Sequence, residues 1–122
     1  MADEITVNLQ ISAKNGYLAF SEKTGNFLVT MNGTTGAGGI QTIGTSAELL
    51  VVTDVGTAGY AFFRNTSTTT NVEIGTGTTS FVPFLRLKPG ETSVCRLGTN
   101  APSAKSSSAT VSVNLQYMIL AD

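Results

Sequence analysis

Phe81-Val82-Pro83-Phe84-Leu85-Arg86-Leu87-Lys88-Pro89-Gly90-Glu91-Thr92-Ser93-Val94-Cys95-Arg96-Leu97 reads as strand, turn, strand, and the turn decides the architecture. The first part is an apolar run long enough for a central strand, and Thr92 to Leu97 is a second β-prone run. Between them Pro89 pre-sets φ near about −65° and Gly90 accepts positive φ, so the pair fits the two central positions of a type II turn. Such a turn follows strand twist less well than the primed turns of tight hairpins. Leu87 and Thr92 are therefore expected in different sheets, which predicts a sandwich.

Upstream of this stretch, Tyr60-Ala61-Phe62-Phe63-Arg64-Asn65 is an aromatic-rich strand that should supply much of the core. Thr66 to Thr70 is too polar to be buried, and Val72-Glu73-Ile74 resumes an alternating strand before Gly75-Thr76-Gly77-Thr78 ends it. Downstream, Gly98 to Ser108 holds Gly98, Asn100, Pro102 and four serines around Lys105, and reads as a long loop. Thr110 to Leu120 closes the chain with Val111, Val113, Leu115, Tyr117 and Ile119 on one face and polar residues with Met118 on the other.

In the first half, Ile5, Val7, Leu9 and Ile11 alternate with Thr6, Asn8, Gln10 and Ser12, the pattern of a strand with one wet and one buried face. Asn15-Gly16 signals a turn, and Tyr17–Ser21 and Phe27–Met31 read as strands of a hairpin turned by Thr24-Gly25-Asn26. Asn32 to Gly39 contains four glycines and no large side chain, and reads as a flexible surface loop, or one that orders against a neighbouring subunit, rather than a phosphate cradle, since Ile40-Gln41-Thr42-Ile43 follows where a helix would open. Thr45-Ser46-Ala47-Glu48 has capping-box spacing, but the β-branched run behind it limits any helix to one turn before a strand over Leu49–Thr53. The tally is about eight to ten short strands at sandwich or barrel spacing. The predicted fold is all-β: an antiparallel, jelly-roll-like β-sandwich forming one domain over residues 1–122.

Composition narrows the function classes. Charged residues are 12% of the 122, about half the usual share, and Thr, Ser, Gly and Asn take their place. The net charge is −1, from 7 basic and 8 acidic residues without a run of either sign, so no basic face for nucleic acid is expected. Near-zero charge also removes the repulsion that keeps subunits apart. Met1-Ala2-Asp3-Glu4 leads directly into a strand without the features of a secretory signal, and no apolar stretch reaches the roughly 18 residues of a membrane helix, so a soluble chain made in the cytoplasm is expected, with no membrane partner.

Reactive chemistry is hard to assemble from these residues. Histidine is absent, which removes Ser-His and Cys-His pairs. The one cysteine, Cys95, cannot build a zinc cluster or an internal disulfide and reads as a small buried hydrophobe. Glu22, Glu48, Asp54, Glu73 and Glu91 each stand alone, and Ser103 with Lys105 reads as two solvated side chains rather than a Ser-Lys pair. Glu73, Arg64, Arg86 and Arg96 fit surface or inter-subunit ion pairs. A sugar platform would rest on Tyr17, Tyr60 or Tyr117, because tryptophan is absent and Phe20, Phe27, Phe62, Phe63, Phe81 and Phe84 fit core positions. Asn65-Thr66-Ser67 and Asn32-Gly33-Thr34 match the glycosylation sequon by chance in an Asn- and Thr-rich chain. The residues predict no catalytic site, metal or cofactor.

Gly59–Asn65, Val72–Gly75, Phe81–Glu91 and the closing Leu115-Gln116-Tyr117-Met118-Ile119-Leu120-Ala121-Asp122 together resemble small virion proteins of tailed bacteriophages. The resemblance covers the second half of the chain well and the first half loosely. It implies a β-sandwich subunit of the virion that decorates or cements the capsid, or joins the tail, collar or neck, with no enzymatic activity and no cofactor. The implied partners are the phage major capsid protein or other virion subunits and further copies of the chain, a trimer being one form. The candidate contact residues lie in the two segments read as loops: Asn32, Gly33, Gly36, Gly38 and Gly39, and Asn100, Ser103, Lys105 and Ser107. A carbohydrate- or receptor-binding adhesin module is the reading from a different class.

Overall fold

The computed structural model describes residues 3–122, and among them every helix or strand is a strand. There are ten, and every pairing between them is antiparallel. Where length predicts one domain, contacts divide the chain into two compact units, one ending at Asn32 and the other spanning Gly33–Asp122.

The first unit is a hairpin of β1 (Ile5–Asn15) and β2 (Leu18–Val29), closed by the two-residue loop Gly16-Tyr17. The expected break at residues 22–26 does not occur. Thr24 and Gly25 instead both oppose Leu9 as a bulge, and the Thr24 hydroxyl accepts from the Leu9 N–H at 3.0 Å, so β2 continues through the irregularity. The alternation in β1 is real, but of its four apolar residues only Val7 is buried.

The second unit has eight strands: β3 (Gly36–Ile43), β4 (Glu48–Leu49), β5 (Ala58–Asn65), β6 (Val72–Thr76), β7 (Val82–Leu87), β8 (Thr92–Arg96), β9 (Pro102–Ser106) and β10 (Val113–Ala121). They form two four-stranded sheets, ordered β3-β10-β5-β8 and β4-β9-β6-β7. The pairings nest about the middle of the unit: β6 with β7, β5 with β8, β4 with β9 and β3 with β10. Two further pairings, β5 with β10 and β6 with β9, complete the sheets.

One apolar cluster joins the sheets into a sandwich. Ile43, Ala61, Phe63, Leu115 and Ile119 come from the first sheet, and Val72, Ile74, Leu87 and Ala104 from the second. The alternation in β10 is legible in its burial, with Val113, Leu115, Tyr117, Ile119 and Ala121 all inward. The turn expected at Pro89-Gly90 is present: the Glu91 N–H donates to the Lys88 oxygen at 3.0 Å, and Gly90 has φ +81° as a type II turn requires. Leu87 and Thr92 do lie in opposite sheets. β7 is an edge strand rather than a central one, consistent with Pro83, which has no N–H to give to a second neighbour.

Both segments expected as loops contain strands. Gly36, Gly38 and Gly39 belong to β3; at Gly36 and Gly38 the missing side chain lets the backbone lie close against β10, and a Cβ on Gly38 would strike the Tyr117 oxygen and sit 2.9 Å from Met118 Cα. Ser103 and Lys105 belong to β9, an interior strand between β4 and β6. Serine is tolerated there because each buried hydroxyl has a partner: Ser103 Oγ donates to the Gly77 oxygen at 2.8 Å and Ser106 Oγ to the Val111 oxygen at 2.6 Å. Of the strand expected over Leu49–Thr53 only Leu49 lies in a strand, as the second residue of β4, and Thr70, expected in water, is buried.

Candidate functional site

The residues expected to make subunit contacts have internal partners in several cases. Asn100 Oδ1 accepts from the Ala58 N–H at 2.8 Å, and Ser107 Oγ donates to the Asn71 oxygen at 3.1 Å. Ser103 is wholly buried, and Lys105 is half-buried opposite Glu73. Of the nine, Asn32, Gly36, Gly38, Gly39, Asn100 and Ser107 are exposed, and Gly36, Gly38 and Gly39 share the edge strand β3. The structure thus gathers three of the glycines on one edge and places the serine-rich segment elsewhere, in the opposite sheet.

Glu73, Arg86 and Arg96 also pair internally. Arg86 meets Glu73 at 3.3 Å across β6 and β7, and Arg96 meets Asp122 at 3.2 Å while its guanidinium lies 5.0 Å from the centre of the Tyr60 ring. Cys95 is half-buried against the core, and burial pushes its thiol pKa up, away from the thiolate a reactive cysteine needs. Tyr117 is buried, and its hydroxyl donates to the Val51 oxygen at 2.8 Å. Burial raises its pKa. Of the three tyrosines considered for sugar stacking, only Tyr17, in the hairpin loop, stands fully in water. Asn65, in one of the two sequons, is wholly buried and spends its amide on main-chain oxygens of Thr70 and Leu87 at 2.8 and 3.0 Å. Among the described residues no three His, Cys, Asp or Glu side chains gather as a metal site would require.

Two apolar surfaces were not foreseen as candidates. Opposed residues of an antiparallel pair share a face. One face of the hairpin therefore carries Leu9, Ile11, Leu18 and Phe20, all exposed, with Ile11 at 63%. Glu22 lies on the same face opposite Ile11, while Lys14, Lys23 and the exposed Leu28 lie on the other face among Thr, Asn, Gln and Ser. On the outward face of the β3-β10-β5-β8 sheet, Gly38, Met118, Phe62 and Val94 form one cross-strand row, with exposed Ile40 beside it. The adjacent pair Phe62-Phe63 carried the signal for this row: neighbours in a strand point to opposite faces, so only one could enter the core. Phe63 does; Phe62 is only half-buried, and Phe20 and Phe84 are exposed instead of core.

No family model, curated protein or solved structure matches the chain.

Proposed function

We propose that this chain is a non-enzymatic structural protein of a bacteriophage virion, decorating or cementing the capsid through subunit contacts. The observation that supports it is the amount of apolar side chain left in water on ordered strands: Leu9, Ile11, Leu18 and Phe20 on the hairpin, and Ile40 and Met118 on the sheet. Contiguous patches of this kind mark association surfaces, and a chain with so few charges does little to keep partners away. We further propose that the second unit is a jelly roll. Numbered from one to eight within the unit, its sheets run 1-8-3-6 and 2-7-4-5, the order produced when a long antiparallel hairpin is rolled up, and jelly rolls recur in viral capsid and lectin domains.

Electron microscopy and mass spectrometry of purified particles test this reading. Density for the chain on the shell, at stoichiometric amounts, is the expected result; its absence from purified virions rules the reading out. Density at the tail, collar or neck instead would select the structural alternative. The exposed Tyr17 favours a second reading, a carbohydrate- or receptor-binding adhesin module. Glycan-array binding that disappears in Tyr17→Ala would support it, and an assembled protein giving no glycan signal would end it.

A further inference from the structure

The outer face of the β3-β10-β5-β8 sheet is uneven in a way that complements itself. Its middle row is Gly38, Met118, Phe62 and Val94. Two residues along the strands toward one end stand Ile40 on β3 and Arg64 on β5, and two residues toward the other end stand Gly36 on β3 and Tyr60 on β5. Ile40 is 67% exposed and rises from the face. Gly36 and Gly38 have no side chains, and the Met118 side chain lies over them, its Sδ 3.4 Å from a Cβ built on the first and its Cε 3.1 Å from one built on the second. The β3 side of the face therefore has a high end at Ile40 and a low end at Gly36, floored by a flexible thioether.

Charge follows the same division. Arg64 is exposed and makes no ion pair among the described residues, whereas Arg96, beside Tyr60, has its charge answered by Asp122 at 3.2 Å.

A two-fold axis lying across the strands, along the middle row, exchanges the two ends. It sets each strand over the same strand of a second copy running the opposite way, with Met118 over Met118 and Phe62 over Phe62. Ile40 then descends on the low Gly36 end of the second copy, and Arg64 comes over the second copy's Tyr60, a cation on an aromatic ring. The two Arg64 side chains stay about 14 Å apart along the strands, beyond the Debye length of about 8 Å in physiological salt. The surface that fits this face is the face itself, and that selects a second copy over an unrelated partner.

Area separates this contact from the other apolar surface. The four strands hold eight, nine, eight and five residues. At about 3.4 Å per residue and about 4.8 Å between strands they cover about 500 Å², so two copies bury about 1,000 Å² before side-chain relief is added, the size from which a specific interface is credible. Hairpin on hairpin gives only about 750 Å² by the same measure, within the range of lattice contacts, and carries Glu22 into the contact.

We propose that two copies of the chain stack the outer faces of their β3-β10-β5-β8 sheets about a two-fold axis, as an aligned sheet-on-sheet dimer. The inference rests on the subunit-contact reading above and names one such contact. It is measured on the isolated protein, so a missing dimer and a chain missing from virions are separate results.

Sedimentation of the full-length protein over a range of concentrations should show a monomer–dimer equilibrium. Ile40→Asp with Met118→Asp should weaken it by about tenfold or more, and because both side chains are exposed the urea midpoint should hold. Facing sheets lie about 10 Å apart, too far for a disulfide, so a short bismaleimide reports the contact. In a Cys95→Ala background, Met118→Cys should cross-link to its own copy, while Ile11→Cys on the hairpin and Phe84→Cys on the opposite sheet should not. A monomer at every concentration, a closed trimer, a dimer untouched by the double variant, or cross-links at Ile11 or Phe84 without one at Met118 each overturns the proposal.

Discussion

The side-chain amide of Asn65 donates to the main-chain oxygen of Leu87 at 3.0 Å, so the last residue of β5 in one sheet is fastened to the last residue of β7 in the other. The same residue serves the turn beyond Leu87. Its N–H donates to the Glu91 oxygen at 3.0 Å, and its own oxygen accepts from the Gly90 N–H at 2.9 Å. Its Oδ1 also accepts from the Ser67 N–H at 2.9 Å, which shapes the link from β5 to β6. One buried amide thus organises both ends of the crossing between sheets.

Asn65→Ala should therefore destabilise the protein well beyond an average surface change. Removing the amide leaves buried main-chain groups without partners, at a cost of about 1–3 kcal/mol. Urea unfolding should show a lower midpoint at unchanged slope. Asn32→Ala, in the other sequon and exposed, should stay within about 0.5 kcal/mol of the parent. Equal midpoints for the two variants would refute the role given to Asn65.

Gly38→Ala tests why a glycine-rich segment is a strand. The added methyl would collide with the Tyr117 oxygen, a main-chain atom that cannot rotate away, so β3 must shift from β10 at a cost of about 1–3 kcal/mol. Gly98→Ala meets nothing within 4 Å and serves as the control. Amide hydrogen exchange along residues 36–43 should accelerate in the first variant and not in the second.

These two sites also show what the residues could and could not reveal. The turn at Pro89-Gly90 was legible because proline and glycine restrict φ locally, whatever surrounds them. The inward face of β10 was legible because its alternation is long and strict. β3 and β9 were hidden because their evidence is not local. Gly36, Gly38 and Gly39 lack the side chains that propensity reads, and become a strand only because β10 lies beside them. Ser103 and Ser106 read as solvent-facing until Gly77 and Val111 supply acceptors. Alternation in β1 identified an apolar face, but no pattern within a strand states whether anything covers that face. The candidate surface was legible in composition alone, and its location came from topology.

Stability should fall on the alkaline side. Burial raises the Cys95 thiol above its ordinary 9.0 and the Tyr117 phenol above its ordinary 10.0. Each is neutral in its favoured folded form, so the folded chain holds protons that the unfolded chain has released. The contribution is complete below the unfolded pKa and is lost as pH rises through the folded one. Urea midpoints should be level near neutrality and decline from about pH 9 upward. Cys95→Ala should flatten the first part of the decline and leave the part above 10.0 in place. A midpoint that does not change with pH over this range would contradict the assignment.

The turn between sheets makes a last prediction. Gly90 holds φ +81°, and nothing lies within 4 Å of where its Cβ would be, so space is available and only backbone strain opposes substitution. Gly90→Val should then cost more than Gly90→Asn, since asparagine tolerates positive φ and a β-branched residue does not, with a difference of about 1 kcal/mol or more. With no neighbour to strike, side-chain volume alone would rank the variants equally. If the two variants unfold at the same urea concentration, the type II geometry is not what carries the chain from Leu87 in one sheet to Thr92 in the other.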